Sequence, residues 1–292
     1  MVSVTWTDVP AAHAAQIYVE DHELAESVAT YVVAGFELGE PAVLVATEEH
    51  TDLIADRLAA LGWDAGRVEE LGLLLAVDAE TTLGRLMHGP HPSAAAFERV
   101  VGGLLDELAP RFPGRRVRAF GEMVNVLCER GQREAAMELE ELWNRLARTR
   151  DFTLLCSYRV DLFDRKSQFE TLPEVCRLHT HVAPASHAER LAHAVDDALV
   201  GVLGTAGAGQ VYSLIGTEMR ERRVPTPQLA LMWVSEHMPL SAERILSSAR
   251  TRYLDAPPSQ LPASAGEGPA RRPVPDAWRA ALRKATRTRR LS

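Results

Sequence analysis

Four stretches of this sequence place polar side chains where they could do chemistry. In 120-FGEMVN-125, Glu122 follows a glycine at the end of an apolar run, and Asn125 stands one helical turn later on the same side. In 152-FTLLCSYRVDLF-163, Cys156 and Tyr158 are two apart, so on a strand both point to one face. In 138-ELEELWNRLA-147, Glu141 and Asn144 lie three apart beside an apolar stripe of Leu139, Leu142, Trp143 and Leu146. In 13-HAAQIYVED-21, His13 precedes the first apolar segment and Tyr18 lies within it. A carboxylate such as Glu122 can act as a general base or hold a ligand, and Cys156 can act as a nucleophile if His13 or His179 lies within hydrogen-bond reach of it. Each residue also has a plain structural use. Glu122 would favour the positive end of the helix after it by about 0.3–1 kcal/mol, Trp143 and Tyr18 suit a core, and His13 suits a loop.

A fifth stretch, 176-CRLHTHV-182, offers metal ligands. His179 and His181 share a face if the chain is extended, and with Cys176 or His13 they would make a soft-metal set. The CxxHxH spacing is short and unspecific, and no cofactor is named by it.

The elements that must position these groups alternate between β-branched runs and amphipathic stretches, the pattern of an α/β domain with a largely parallel sheet. Strands are expected at 16–20, 41–47, 73–79, 116–122 and 152–158, with helices at about 22–38, 48–62, 80–87, 94–109, 122–129 and 132–149. Asp21 or Thr47 is placed to cap the helices that follow, and Gly39 and Gly62 to end them. AVLVA and LLLAV are apolar at every position, as strands buried on both faces are.

A parallel sheet raises the question of a nucleotide, and the first strand-to-helix turn answers against a phosphate cradle. It reads IYVEDHELAES, without GxxxxGK[ST] or GxGxxG, and Glu20, Asp21, Glu23 and Glu26 put negative charge where an anion would sit. GxSxG and HExxH are absent too. The GAGAG-like run at 204–209 falls between helical segments and reads as a loop.

From 186 to 254 the pattern is helical only, with segments at about 186–203, 207–222, 225–237 and 240–254, an appendage suited to signal output. Residues 255–292 read as a disordered linker rich in Pro, Ser, Ala and Gly, running into the basic stretch 271-RRPVPDAWRAALRKATRTRR-290. The chain as a whole carries a net charge of −8, which excludes a general polyanion-binding surface and leaves nucleic acid or another acidic partner to that tail alone. Three scattered cysteines argue for reduced thiols rather than a disulfide framework. The N-terminal residues lack a signal-peptide pattern and no uninterrupted apolar run reaches membrane length, so a cytoplasmic protein without a membrane span is expected.

The stretches HAAQIYVEDHELAESVATYVVAGFELGEPAVLVATEEH, VRAFGEMVNVLCERGQREAAMELEELWNRLA, FTLLCSYRVDLF and CRLHTHV together resemble the MEDS domain, a methanogen/methylotroph sensory domain first defined around a dichloromethane-responsive repressor. The resemblance covers about residues 10–183. It implies a RecA/KaiC-like fold without the phosphate-binding loop and a small organic ligand such as a hydrocarbon derivative, in a family whose members are often joined to histidine kinase, anti-sigma or DNA-binding modules. The family pattern falls on His13, Tyr18, Gly121, Glu122, Glu141, Asn144, Cys156 and Tyr158, with His179 and His181 at its end. This sequence departs from that pattern in showing no recognisable kinase or helix-turn-helix motif after the domain. The expected function is therefore a cytosolic sensor that holds a small organic ligand at the strand carboxyl ends and signals to a protein partner through the helical appendage. The alternatives are an enzyme using Glu122 or Cys156, a degenerate nucleotide-binding protein, and a nucleic-acid binder acting through the tail.

Overall fold

The computed structural model describes residues 13–164, 166–183, 188–218 and 224–255. The expected linker and basic tail beyond Asp255 lie outside them. The described residues form two compact units, one containing residues 13–16 and 20–158, the other residues 17–19 and those between 159 and 255.

Six strands make one sheet in the order β3-β2-β6-β7-β1-β8. They are β1 (His13–Tyr18), β2 (Ala42–Ala46), β3 (Leu74–Asp78), β6 (Val117–Gly121), β7 (Phe152–Arg159) and β8 (His181–Ala183). The pairs β2–β3, β2–β6 and β6–β7 are parallel, with Val45 beside Gly121 and Gly121 beside Cys156. The α/β class expected of the sequence is the class observed. Buried residues fill every position of β2 and β6, as expected of strands covered on both faces. By contrast, β3 lies at the sheet edge and leaves Leu74, Val77 and Asp78 partly exposed, although its apolar run resembles that of β2.

The helices of the first unit are α1 (Asp21–Glu37), α2 (Glu48–Ala60), α3 (Ala65–Leu71), α4 (Ala79–Leu86), α5 (Ala94–Phe97), α6 (Gly103–Leu108), α7 (Met123–Glu129) and α8 (Arg133–Leu146). A π turn at Glu98–Gly102 joins α5 to α6, and a two-residue hairpin pairs β4 (Met87–His88) with β5 (His91–Pro92). Gly39 and Gly62 follow α1 and α2 at φ 72° and 85°, the left-handed conformation that glycine adopts without a Cβ penalty. The Thr47 hydroxyl caps α2, whereas α1 begins from Glu20, whose N–H donates to the Glu23 carboxylate, and not from Asp21.

Two boundaries differ from the sequence reading for physical reasons. β1 begins at His13, three residues before the expected strand, because Ala14 and Ala15 are weak strand formers that burial recruits into the sheet. His13 is therefore a strand residue and not part of a preceding loop. The helices expected at 186–203 and 207–222 appear as the two halves of α10 (Ala188–Glu218), which meet at a kink where Gly204 is non-helical at φ 73°, ψ 167°, so the second half begins within the glycine-rich run and not after it. The GAGAG-like run is thus mostly helical.

In the second unit α9 (Leu172–Leu178), α10, α11 (Thr226–His237) and α12 (Pro239–Asp255) complete the described chain. Helix α11 packs against both α10 and α12 and is buried from Gln228 to Ser235, which explains its near-continuous apolar sequence. Glu189–Thr217 is long and apolar enough to cross a membrane by length and composition, with 28% of its apolar window buried.

Candidate functional site

Two polar constellations lie within the first unit, and each pairs a histidine with a buried glutamate. The first is assembled from β1, α8 and β7. Cys156 and Tyr158 share strand parity on β7 and are both buried. Glu140 and Asn144 stand four apart on α8, one turn above each other. The helix comes close to the sheet because Gly121 has no side chain, for a Cβ there would lie 3.2 Å from the Trp143 ring. His13 enters from the start of β1.

Its contacts are specific. The His13 Nδ1–H donates to Asn144 Oδ1 at 3.0 Å, which turns Nε2 toward the other side chains of the cluster. That Nε2 lies 3.2 Å from Cys156 Sγ and 3.1 Å from Glu140 Oε2. The Cys156 thiol points at the same carboxylate oxygen from 3.7 Å, and the Tyr158 hydroxyl donates a short hydrogen bond to Glu140 Oε1. Burial, followed by the negative charge of Glu140, raises the pKa of both Cys156 and Tyr158 well above their ordinary values. Cys156 is therefore a thiol as it stands and a poor nucleophile.

The second constellation sits where β2 and β6 end and α1 begins. Glu122 does not cap its own helix. One carboxylate oxygen accepts the Thr47 N–H at 2.7 Å, and the other lies 2.8 Å from His50 Nδ1. His50 Nε2 in turn lies 3.2 Å from Asp21 Oδ1. Exposure rises along the chain of contacts, from 1% at Glu122 to 12% at His50 and 33% at Asp21. Burial pulls the His50 pKa down, but the hydrogen bond and charge of Glu122, aided by Glu49 and Glu129, more than offset it, and the net shift is upward.

The residues singled out in the sequence thus fall into separate groups. His13, Asn144, Cys156 and Tyr158 come together, while Glu122 has Thr47 and His50 as its partners. Asn125 is buried and donates to Glu129 along α7. Tyr18 is buried with the Arg159 guanidinium 5.5 Å from its ring centroid. Glu141 is exposed, and the acid that faces the cluster is its neighbour Glu140. The i, i+3 spacing from Glu141 to Asn144 and the i, i+4 spacing from Glu140 both fit a helix, and only the helix phase separates them. His50 carried a weak signal, three residues after the capping Thr47, but its link to Glu122 spans 72 residues. In the second unit, Cys176 is half-buried on α9, and His179 at the end of that helix has its Nδ1 2.7 Å from the Val175 carbonyl. Among the described residues, no group of three potential metal ligands includes Cys176 or His181.

Residues 12–180 match the family profile described as MEDS, the methanogen/methylotroph, DcmR sensory domain. A 47-residue stretch is 45% identical to UPF0273 protein PF1931 of Pyrococcus furiosus. That alignment covers 16% of this chain and 19% of the relative, so it spans about a fifth of the relative's length. The profile match, in contrast, takes in more than half of the chain and both constellations, and the chain belongs to the MEDS family of sensory domains.

Proposed function

We propose that the chain is a regulatory sensor in which a small organic molecule binds at the strand carboxyl ends, against Glu122, His50 and Asp21. The observation that carries this reading is the graded exposure of that trio. It offers a polar path from solvent to a buried carboxylate at the place where parallel sheets hold ligands. The turn after β1 carries Glu20, Asp21 and Glu23, which disfavour a phosphate and suit a neutral or cationic ligand. Signal output would pass through the C-terminal helices to a protein partner, and requires that the ligand bind two arrangements of the chain with different affinity.

The test is calorimetric titration of the full chain with short alcohols, amines and halogenated hydrocarbons, beside Glu122→Gln. Saturable binding that the variant loses supports the proposal. Equal binding by the variant moves the ligand elsewhere. An enzyme using Cys156 is less favoured because the thiol is buried and its pKa is raised. Turnover abolished by Cys156→Ala would reverse that order. Nucleic-acid binding through the tail is checked by comparing the full chain with one ending at Asp255 over a range of salt, since phosphate contacts weaken steeply with ionic strength.

A further inference from the structure

We propose that His13, Glu140 and Cys156 form a binding site for one zinc-class divalent ion. Their donor atoms come from β1, α8 and β7, so the site is a product of the fold and not of one flexible segment. All three are members of a fully buried group whose ligand atoms lie within 4.8 Å of one another.

The spacing fits the ion. Zinc bonds of about 2.0–2.3 Å to N, O and S at tetrahedral angles put the donors about 3.3–3.6 Å apart. Here the edges are 3.1 Å from Nε2 to Oε2, 3.2 Å from Nε2 to Sγ, and 3.7 Å from Sγ to Oε2. A shift of a few tenths of an ångström would make the triangle one face of a zinc tetrahedron.

The surroundings fit as well. Asn144 accepts the Nδ1 proton of His13, so the lone pair on Nε2 is the one turned toward the other donors. Tyr158 holds the far oxygen of Glu140, so Oε2 is turned inward. Hydrogen bonds of this kind from a second layer of residues are what fix metal ligands in orientation.

Electrostatics points the same way. A nitrogen lone pair and a carboxylate oxygen 3.1 Å apart in a dry interior repel unless a cation lies between them. That cation is either a proton or a metal ion. Metal binding would form bonds to Sγ, Nε2 and Oε2 and release two protons to solvent, one from the Cys156 thiol and one from the His13–Glu140 contact. A dication with a thiolate and a carboxylate is neutral overall, so the buried site gains no net charge.

The experiment uses the full chain, stripped with a chelator under reducing conditions and then titrated with zinc chloride and cobalt chloride. Elemental analysis after desalting should give about one zinc per chain, the single site that this geometry allows. The cobalt form should show thiolate-to-metal charge transfer in the near ultraviolet and the strong visible bands of tetrahedral cobalt. Cys156→Ser should abolish the charge-transfer band, and His13→Ala should remove the bound metal. Tyr158→Phe should keep the stoichiometry with affinity reduced roughly 10- to 100-fold, the effect of losing an outer hydrogen bond. Cys128→Ser and Cys176→Ser should leave the spectrum unchanged. If Cys156→Ser does not fold, the spectrum of the unmodified chain decides, because a bound thiolate shows itself there directly. A folded chain that retains no zinc, or a cobalt spectrum unaffected by Cys156→Ser, would overturn the proposal and leave protons as the cations of the cluster.

Discussion

The two constellations use the same pair of residue types and differ in their access to water. His13 meets Glu140 where both are buried, and His50 meets Glu122 on a path that opens to solvent through Asp21. In the buried cluster the thiol and phenol are held neutral by burial and the adjacent carboxylate. At the strand ends, the Thr47 N–H donates to one oxygen of Glu122 and the imidazole lies against the other, so both carboxylate oxygens have partners. The lesson is that a histidine–glutamate pair has no fixed chemistry. One environment is closed to solvent, and the other opens to it through Asp21.

That contrast can be broken by mutation. The largest effect is expected from Glu140→Ala, which strips the Tyr158 hydroxyl and His13 of their shared acceptor inside the core. It should cost roughly 2–5 kcal/mol in urea denaturation, the range for orphaning buried polar partners. A loss below about 1 kcal/mol, the worth of one ordinary hydrogen bond, would show that the dry cluster is not held by its acid.

Gly121→Ala comes next. Its new Cβ would meet the Trp143 ring at 3.2 Å and push α8 outward, at about 1–3 kcal/mol for overpacking. Because α8 carries Glu140 and Asn144 but none of the second trio, zinc retention should fall while binding at Glu122 is kept. Equal loss at both would show that the two constellations are mechanically one.

Glu122→Gln should cost less, about 1–2 kcal/mol for weakening a charge-assisted contact at a half-buried histidine. Its clearer signature is in pH. The folded-state pKa of His50 is raised above its unfolded value near 6.5, so the stability it contributes is full below about pH 6.5 and is lost as pH rises through the folded value. Chemical denaturation between pH 5.5 and 8.5 should show that loss in the native chain, and both Glu122→Gln and His50→Gln should flatten it. A slope unchanged in both variants would assign the pH dependence to other groups.

The smallest effect is expected at Glu141→Gln, within about 0.5 kcal/mol, as for other exposed positions. If it proved as costly as Glu140→Ala, the helix phase assigned to α8 would be wrong.

Much of the first constellation was legible before folding. Cys156 and Tyr158 announced a shared face by their parity, and both His13 and Asn144 were visible as polar residues in apolar surroundings. Glu140 was hidden behind Glu141 because adjacent helix positions differ by 100°, and a sequence of acids at 138, 140 and 141 does not say which one turns inward. His50 was missed because it looks like one more polar residue in the first turn of a surface helix, and only its distant partner makes it part of a site.

Sequence alone determined the layered α/β class and the order of its main strands and helices. These follow from periodicity, capping and local charge, which act over a few residues. Tertiary structure decided that His13 belongs to a strand, that Glu140 rather than Glu141 faces inward, and that Glu122 and Cys156 serve different constellations. Those outcomes depend on strand register and helix phase. Both are set when distant segments pack and bury their side chains, an energy that no local pattern contains.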